Sequence, residues 1–309
     1  MASRVLSTSE GTQQHHDFGP TEWALFAVPP LIWGCSFLLI AIGIEDLAPS
    51  VVTAGRVLFG AVALGSFPAA RRRLPRAEWP RLAFVSFTWM IIPFSCFSLA
   101  EQWIDSSLAG MLNGAMPLFT AAIATVMLRQ LPGRVQLIGL GIGFAGVLAV
   151  MWPALADGSS SSTSGVLLVL LAVFCYGLAA NVSVPLQQTY GTLPVVFSAQ
   201  LIALAVLAPF ALVGVGGSDF TLDATVAVVA LGVLGTGVAF VAMGNLIVRV
   251  GATRGAVAIY FVPVVSVVAG VVFRDETVAA LSLVGMAVVV VGAMLTSRAD
   301  RARAIATAD

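Results

Sequence analysis

The chain contains no lysine, so all of its positive charge sits on arginine. Charge of either sign is scarce. It reaches 10% of 309 residues, against about 25% in a soluble domain. A water-facing surface cannot be built from that supply. Net charge is zero, and a pI near 6.7 leaves no basic footprint for nucleic acid. Histidine is limited to His15 and His16 in a polar N-terminal stretch without a ligand partner. The three cysteines, Cys35, Cys96 and Cys175, each fall in an apolar run with no CxxC or Cys/His cluster. They read as small free hydrophobes. No metal site and no cofactor is expected. Residues 1–21 lack the hydrophobic core of a signal peptide, so the first apolar run is expected to be retained.

What is present is apolar length. No charge occurs from Trp23 to Ile44, and none from Gly158 to Ser218. Runs of this kind cross a hydrocarbon core of roughly 30 Å. A β-barrel would alternate polar and apolar residues in short segments. The runs here are continuous, as in residues 166–171, so an all-α membrane bundle is expected. Ten spans are read: 23–44, 50–70, 82–101, 107–128, 135–155, 165–187, 194–215, 224–248, 255–273 and 278–297. Trp23 and Trp79 then mark one membrane face, and Trp103 and Trp152 the other.

Arginine orients these spans. With a cytoplasmic N-terminus, Arg4, Arg71, Arg72, Arg73, Arg76, Arg81, Arg129, Arg134, Arg249, Arg254, Arg298, Arg301 and Arg303 all fall inside. Only Arg274 falls outside, among mainly acidic loops, and Arg56 lies within a span. That asymmetry predicts both termini in the cytoplasm. The absence of lysine with the Ala, Val and Gly richness is expected of a GC-rich bacterial gene, placing the bundle in a bacterial plasma membrane.

A Gly/Ser stretch at 157–164 is expected to be a linker between five spans and five. The halves are 23–156 and 165–297, flanked by polar tails at 1–22 and 298–309. They match at a nearly fixed offset. Pro117 aligns with Pro263, Gly139 with Gly285 and Gly146 with Gly292, all 146 apart. Trp33 aligns with Tyr176 at 143, and Pro49 with Pro194 at 145. An odd number of spans per copy makes the repeats inverted. That architecture is used by transporters with a central site.

The residues then resemble a known family. Trp33-Gly34-Cys35-Ser36-Phe37, Ala54-Gly55-Arg56, Gly110 to Pro117, Arg129-Gln130-Leu131 and Gly139 to Gly146 resemble an EamA-type member of the drug/metabolite transporter superfamily, over about 23–297. Pro263, Asp275-Glu276, Gly285 and Gly292 extend the likeness into the second half. The family usually has Glu after the fourth span. Gln130 stands there, whereas Glu276 keeps the acid in the second copy. The resemblance implies ten spans in two inverted halves and export or import of small metabolites.

Candidate functional residues follow from depth. Arg56 is a cation inside a span, which by default is functional or paired. Glu101, nearer the outer surface, is within reach for an ion pair or gate. Trp33, Ser36, Asn113, Tyr176, Asn181 and Tyr260 offer aromatic faces, amides and hydroxyls near mid-depth, suited to a neutral or zwitterionic solute. Pro117 and Pro263 are expected to kink spans four and nine. The glycines at 139, 141, 143 and 146 lack the Lys-Ser/Thr of a phosphate loop and read as helix packing. The expected function is transport of amino-acid-like or other neutral or zwitterionic metabolites, by an exporter working through alternating access. A facilitator or channel-like pore is the alternative. An intramembrane enzyme is disfavoured because no span holds Asp or His. Expected partners are the small-molecule substrate and the lipid bilayer, with a homodimer left open.

Overall fold

The computed structural model describes residues 19–128, 132–156, 158–250 and 255–306, and these contain helices and turns but no strand. Arg4, His15, His16, Arg129, Gln130, Asp157 and Arg254 lie outside the described residues, as do the side chains of Arg298, Arg301 and Arg303. The first five helices are α1 (Pro20–Asp46), α2 (Pro49–Gly65), α3 (Arg76–Ala100), α4 (Ser106–Asn113 and Met116–Leu128) and α5 (Arg134–Ala156). Then come α6 (Ser160–Tyr190), α7 (Thr192–Val215), α8 (Leu222–Gly232 continuing to Val250), α9 (Ala256–Phe261 and Val262–Arg274) and α10 (Ala280–Ala306). Nine are long and apolar enough to cross a membrane among the described residues; α2 is apolar but only 17 residues long. The chain is a multi-pass membrane protein. The expected linker is mostly absent, because Ser160 already begins α6, with Ser159 as its cap.

Helices five apart in order pack on each other. α5 lies along α10, α2 along α7, and the first part of α4 against α9. α3 meets α6 as α8 meets α1, and α4 meets α6 as α9 meets α1. These main pairings are kept when each helix is exchanged for the one five places on.

Local irregularities obey the same exchange. A π-helical turn interrupts α3 at Phe87–Ile91, and another interrupts α8 at Val233–Val238, starting 146 residues later. Such turns loosen the backbone ladder and often mark functional positions. α4 breaks at Gly114 and Ala115 before restarting at Met116, and α9 changes from 3₁₀ to α geometry at Val262. Pro117 and Pro263 therefore sit at the head of the second segments, where a missing N–H costs little.

Glycine sets the closest approach. A side chain on Gly146 would lie 2.6 Å from Val289 N and 2.8 Å from Gly285 O. One on Gly285 would lie 2.7 Å from Val150 N and 2.8 Å from Gly146 O. Gly139 meets Thr296 N and Gly292 O at 2.8 and 2.9 Å in the same way. The obstacle is backbone each time, so it cannot swing aside. Lipid gives no hydrophobic drive for association, and close backbone contact supplies dispersion instead.

The ends of the bundle differ. One end carries Arg76, Arg81 and Arg249. Here Arg249 pairs with Glu22 at 3.1 Å, and the Tyr190 hydroxyl donates to Glu78 at 3.3 Å. The opposite end is tied more densely. Arg274 pairs with Glu45 at 2.7 Å, and Thr221 donates to Asp46 at 2.6 Å. Glu276 accepts from Ser106 N at 3.1 Å, Ser106 Oγ at 2.7 Å and Ser107 N at 2.9 Å. This carboxylate caps the first turn of α4, where the helix dipole also favours a negative charge.

Two outcomes are expected. Gly146→Val should lower the melting temperature of the detergent-solubilised protein by the equivalent of about 1–3 kcal/mol, the usual cost of overpacking. Gly141→Val, where an added Cβ meets nothing within 4 Å, should leave it unchanged. The second outcome concerns Glu276. Burial acts to raise its carboxyl, but hydrogen bonds from Ser107 and Ser106 outweigh this and hold it below the ordinary 4.5. The cap thus contributes fully above pH 4.5 and is lost as pH falls through the lower folded-state value. Glu276→Gln should cost about 1–2 kcal/mol at neutral pH and flatten the acid limb of a stability–pH curve. An identical acid limb would show that the cap does not act.

Candidate substrate-binding cavity

Between the two halves lies a cavity of about 290 Å³, lined by α1, α2, α3, α4, α6, α7, α8 and α9. Matched helices supply matched positions. Trp33, Phe37 and Ile40 of α1 answer Tyr176, Ala180 and Ser183 of α6, each pair 143 apart. Phe94 and Phe97 of α3 answer Phe240 and Met243 of α8, 146 apart. Asn113 and Met116 of α4 answer Ile259 and Val262 of α9, also 146 apart. The lining reaches Gln187, Thr192 and Ile247, next to the end that carries Arg76 and Arg249. The denser ties of the opposite end lie beyond the lining residues there.

The wall is aromatic and held by edge contacts. Phe240 meets Trp33 and Trp89 at centroid distances of 5.5 and 5.3 Å, and Phe97 meets Tyr176 at 6.0 Å. Trp33 is fixed further by its indole N–H, which donates to Gly235 O at 2.9 Å in the π-turn of α8. Arg56 is the only charged residue among those that line the cavity. It is 8% exposed, and its guanidinium carbon lies 3.8 Å from the centroid of the Phe94 ring. Its Nε has no hydrogen-bond partner, and neither does Asn113 Oδ1. Buried donors and acceptors normally find partners, so orphans facing a cavity are what a ligand would satisfy.

Of the residues expected from sequence, the cavity gathers Trp33, Ser36, Arg56, Asn113 and Tyr176. It does not gather the others. Asn181 donates to Thr120 O at 3.1 Å and Gly177 O at 2.9 Å, tying α6 to α4. The Tyr260 hydroxyl donates to Ala293 O at 3.2 Å and lies 2.8 Å from Ser297 Oγ, which docks α9 on α10. Glu101 is 9% exposed, outside the lining, and neither carboxylate oxygen has a hydrogen-bond partner. No ion pair joins it to Arg56 among the described residues; the guanidinium stacks on Phe94 instead. Phe94, Phe240 and Trp89 were not singled out from sequence. The shared 146 offset of the two phenylalanines was the signal that could have found them. Two further buried orphans, Gln200 and Thr236, meet over Gly60 between α7, α8 and α2.

A multi-pass bundle with a cavity at the junction of two matched halves defines a membrane transporter. The chain belongs to the EamA-like transporter family, whose profile matches residues 22–152 and 163–298. It is similar to a probable terminal-alkyne amino-acid exporter of Streptantibioticus cattleyicolor, 26% identical over 89% of this chain and 93% of that one. It is similar to the uncharacterized transporter YdfC of Bacillus subtilis, 25% identical over 86% of this chain and 87% of that one. A probable amino-acid metabolite efflux pump of Salmonella typhimurium is 25% identical over 85% of this chain and 90% of its own. A solved crystal structure covers 89% of this chain and 96% of its own with a TM-score of 0.59 and 19% identity, a likeness of fold. Family and relatives point to transport rather than catalysis.

One stability test follows from Glu101. A buried, unpartnered carboxylate costs several kcal/mol when ionised. Glu101→Gln replaces the carboxyl with a neutral amide at nearly constant volume and should keep or raise the melting temperature at pH 7. A fall worth more than about 1 kcal/mol would show that a partner stabilises the carboxylate.

Proposed function

We propose that this protein exports small organic solutes, amino-acid-like or otherwise mainly apolar, by alternating access across a bacterial plasma membrane. Ten spans form two inverted five-helix halves, with both termini in the cytoplasm. The observation that carries this reading is the cavity itself, built from equivalent positions of both halves and holding a single charge. Inverted repeats transport by exchanging roles around a fixed site between them. With the arginine-rich end cytoplasmic, the cavity reaches inward while Glu276, Arg274 and Asp46 tie the outer end. The structure is then an inward-facing form, ready to load a cytoplasmic solute. The exporter and efflux-pump names of two relatives agree with that direction.

The volume, about 290 Å³, lies at the small end of ligand pockets and suits a metabolite rather than a nucleotide sugar. Seven aromatic side chains line it and supply stacking surface in place of ionic contacts. Arg56 as its one cation does not provide for several phosphate charges.

Gly244 gives a direct test. It lines the cavity, and an added Cβ there meets nothing within 4 Å, so a large side chain grows into open space. Gly244→Trp should abolish flux of amino-acid-like solutes in proteoliposomes while keeping the protein folded. Gly141→Trp, at a glycine equally free of neighbours and exposed on the bundle surface, should keep flux. Flux at the wild-type rate through Gly244→Trp would place the path elsewhere.

A further inference from the structure

No acid on the cavity wall pairs with the Arg56 charge; Glu101 acts on it from off the lining without an ion pair. Arg56 is the only ionised side chain on the wall, with no acid opposite it. It makes no ion pair and no hydrogen bond among the described residues; the face of Phe94 lies against it, and Tyr176 and Glu101 act on it electrostatically. A ring face attracts the cation without offering hydrogen-bond acceptors in the guanidinium plane. The edge of the fork is therefore left for an oxygen acid, which it can bind through two parallel N–H groups.

The π-turn of α8 leaves the guanidinium uncrowded on one side. Gly235 has no side chain, and the position its Cβ would occupy is 3.3 Å from Ser36 Oγ and 3.8 Å from Arg56 Nη2. A methyl there would stand between the Ser36 hydroxyl and the Arg56 guanidinium, so the missing side chain keeps that approach clear for a ligand. The site sits beside Trp33, whose indole N–H is already given to Gly235 O. Further along, the wall is mainly rings and aliphatic chains, with Ser183, Gln187 and Thr192 as neutral polar groups and Asn113 Oδ1 as the unpartnered acceptor. A solute with an acid at one end and an apolar body has a complement for each part. No acidic side chain on the wall answers a free amine, and a second acid would find no second cation.

We infer that the transported solutes carry one carboxylate on an apolar or aromatic body, and that the carboxylate docks on Arg56 beside Ser36 and Gly235. This rests on the cavity being the transport site. An α-amino group is allowed but is not the recognised feature.

Three probes of one body separate the possibilities: L-phenylalanine, 3-phenylpropionate and phenethylamine. Each is tested on the purified full-length protein, by thermal shift in detergent and by counterflow in proteoliposomes. The acid and the amino acid should both stabilise the protein and exchange, and the amine should do neither. Arg56→Gln should weaken both carboxylates roughly 10–100-fold, the range for a charged hydrogen-bonded pair. Arg56→Lys should keep the preference for acids with weaker binding. Gly235→Ala puts a methyl between Ser36 and Arg56 without touching the charge and should also weaken both acids. The inference is overturned if the amine binds as well as the acid, if neither acid binds, or if Arg56→Gln and Gly235→Ala both bind the acids like wild type. Gly244→Trp separates the two claims. If it stops exchange of probes that show no preference for an acid, the cavity is the path and the carboxylate claim alone fails. If it leaves exchange intact, the cavity reading fails as well.

Discussion

Hydrocarbon offers a helix neither hydrogen-bond partners nor any hydrophobic reason to leave it. Association must then come from close packing, and here glycine permits it. Gly139, Gly143 and Gly146 of α5 meet Gly285 and Gly292 of α10 backbone to backbone. The same device recurs where Gly232 of α8 lies over Arg56 O and Gly60 N of α2, 2.7 and 3.0 Å from where its side chain would be. These tight seams run between helices five apart or between neighbours across the two halves. Because α5 with α10 and α2 with α7 carry much of that packing, the remaining helices can stand around a space rather than close over it. The cavity depends on where the glycines are, as much as on the aromatic rings that line it.

The same solvent makes an unpaired polar group expensive, so each one carries information. Asn181, Ser266 and Tyr260 have internal partners on other helices and serve as ties. Arg56 and Asn113 lack full satisfaction and face the cavity. This divides polar residues of similar depth into structural and functional groups on chemical grounds. Glu101, Gln200 and Thr236 are also orphans, but they lie off the lining.

Much of the fold could be read from sequence, because its signals were lengths and offsets. The apolar runs, the arginine asymmetry and the 146 register each need only one dimension. The helix-packing role of Gly139 and Gly143 was legible for the same reason. What could not be read was the direction a side chain takes around its helix. Spans that are apolar all round show no polar face to orient them. Depth alone therefore groups Asn181 and Tyr260 with Tyr176, although their amide and hydroxyl point to neighbouring helices. Reach alone pairs Arg56 with Glu101, since a ring such as Phe94 is not recognisable as a charge partner from spacing. Residues 160–164 looked like a flexible linker by composition, yet serine caps and small side chains let α6 begin there.

The central claim is that one cavity between the halves is open to one membrane face at a time. Asn113→Cys, in a chain whose Cys35, Cys96 and Cys175 are replaced by serine or alanine, reports it directly from deep in the lining. In oriented proteoliposomes an impermeant thiol reagent should reach this residue from the arginine-rich face when no solute is present. Labelling from the opposite face should rise when a transported solute drives turnover. Labelling from both faces at equal rates without solute would describe an open pore, and labelling from neither would mean that the cavity is not on the path.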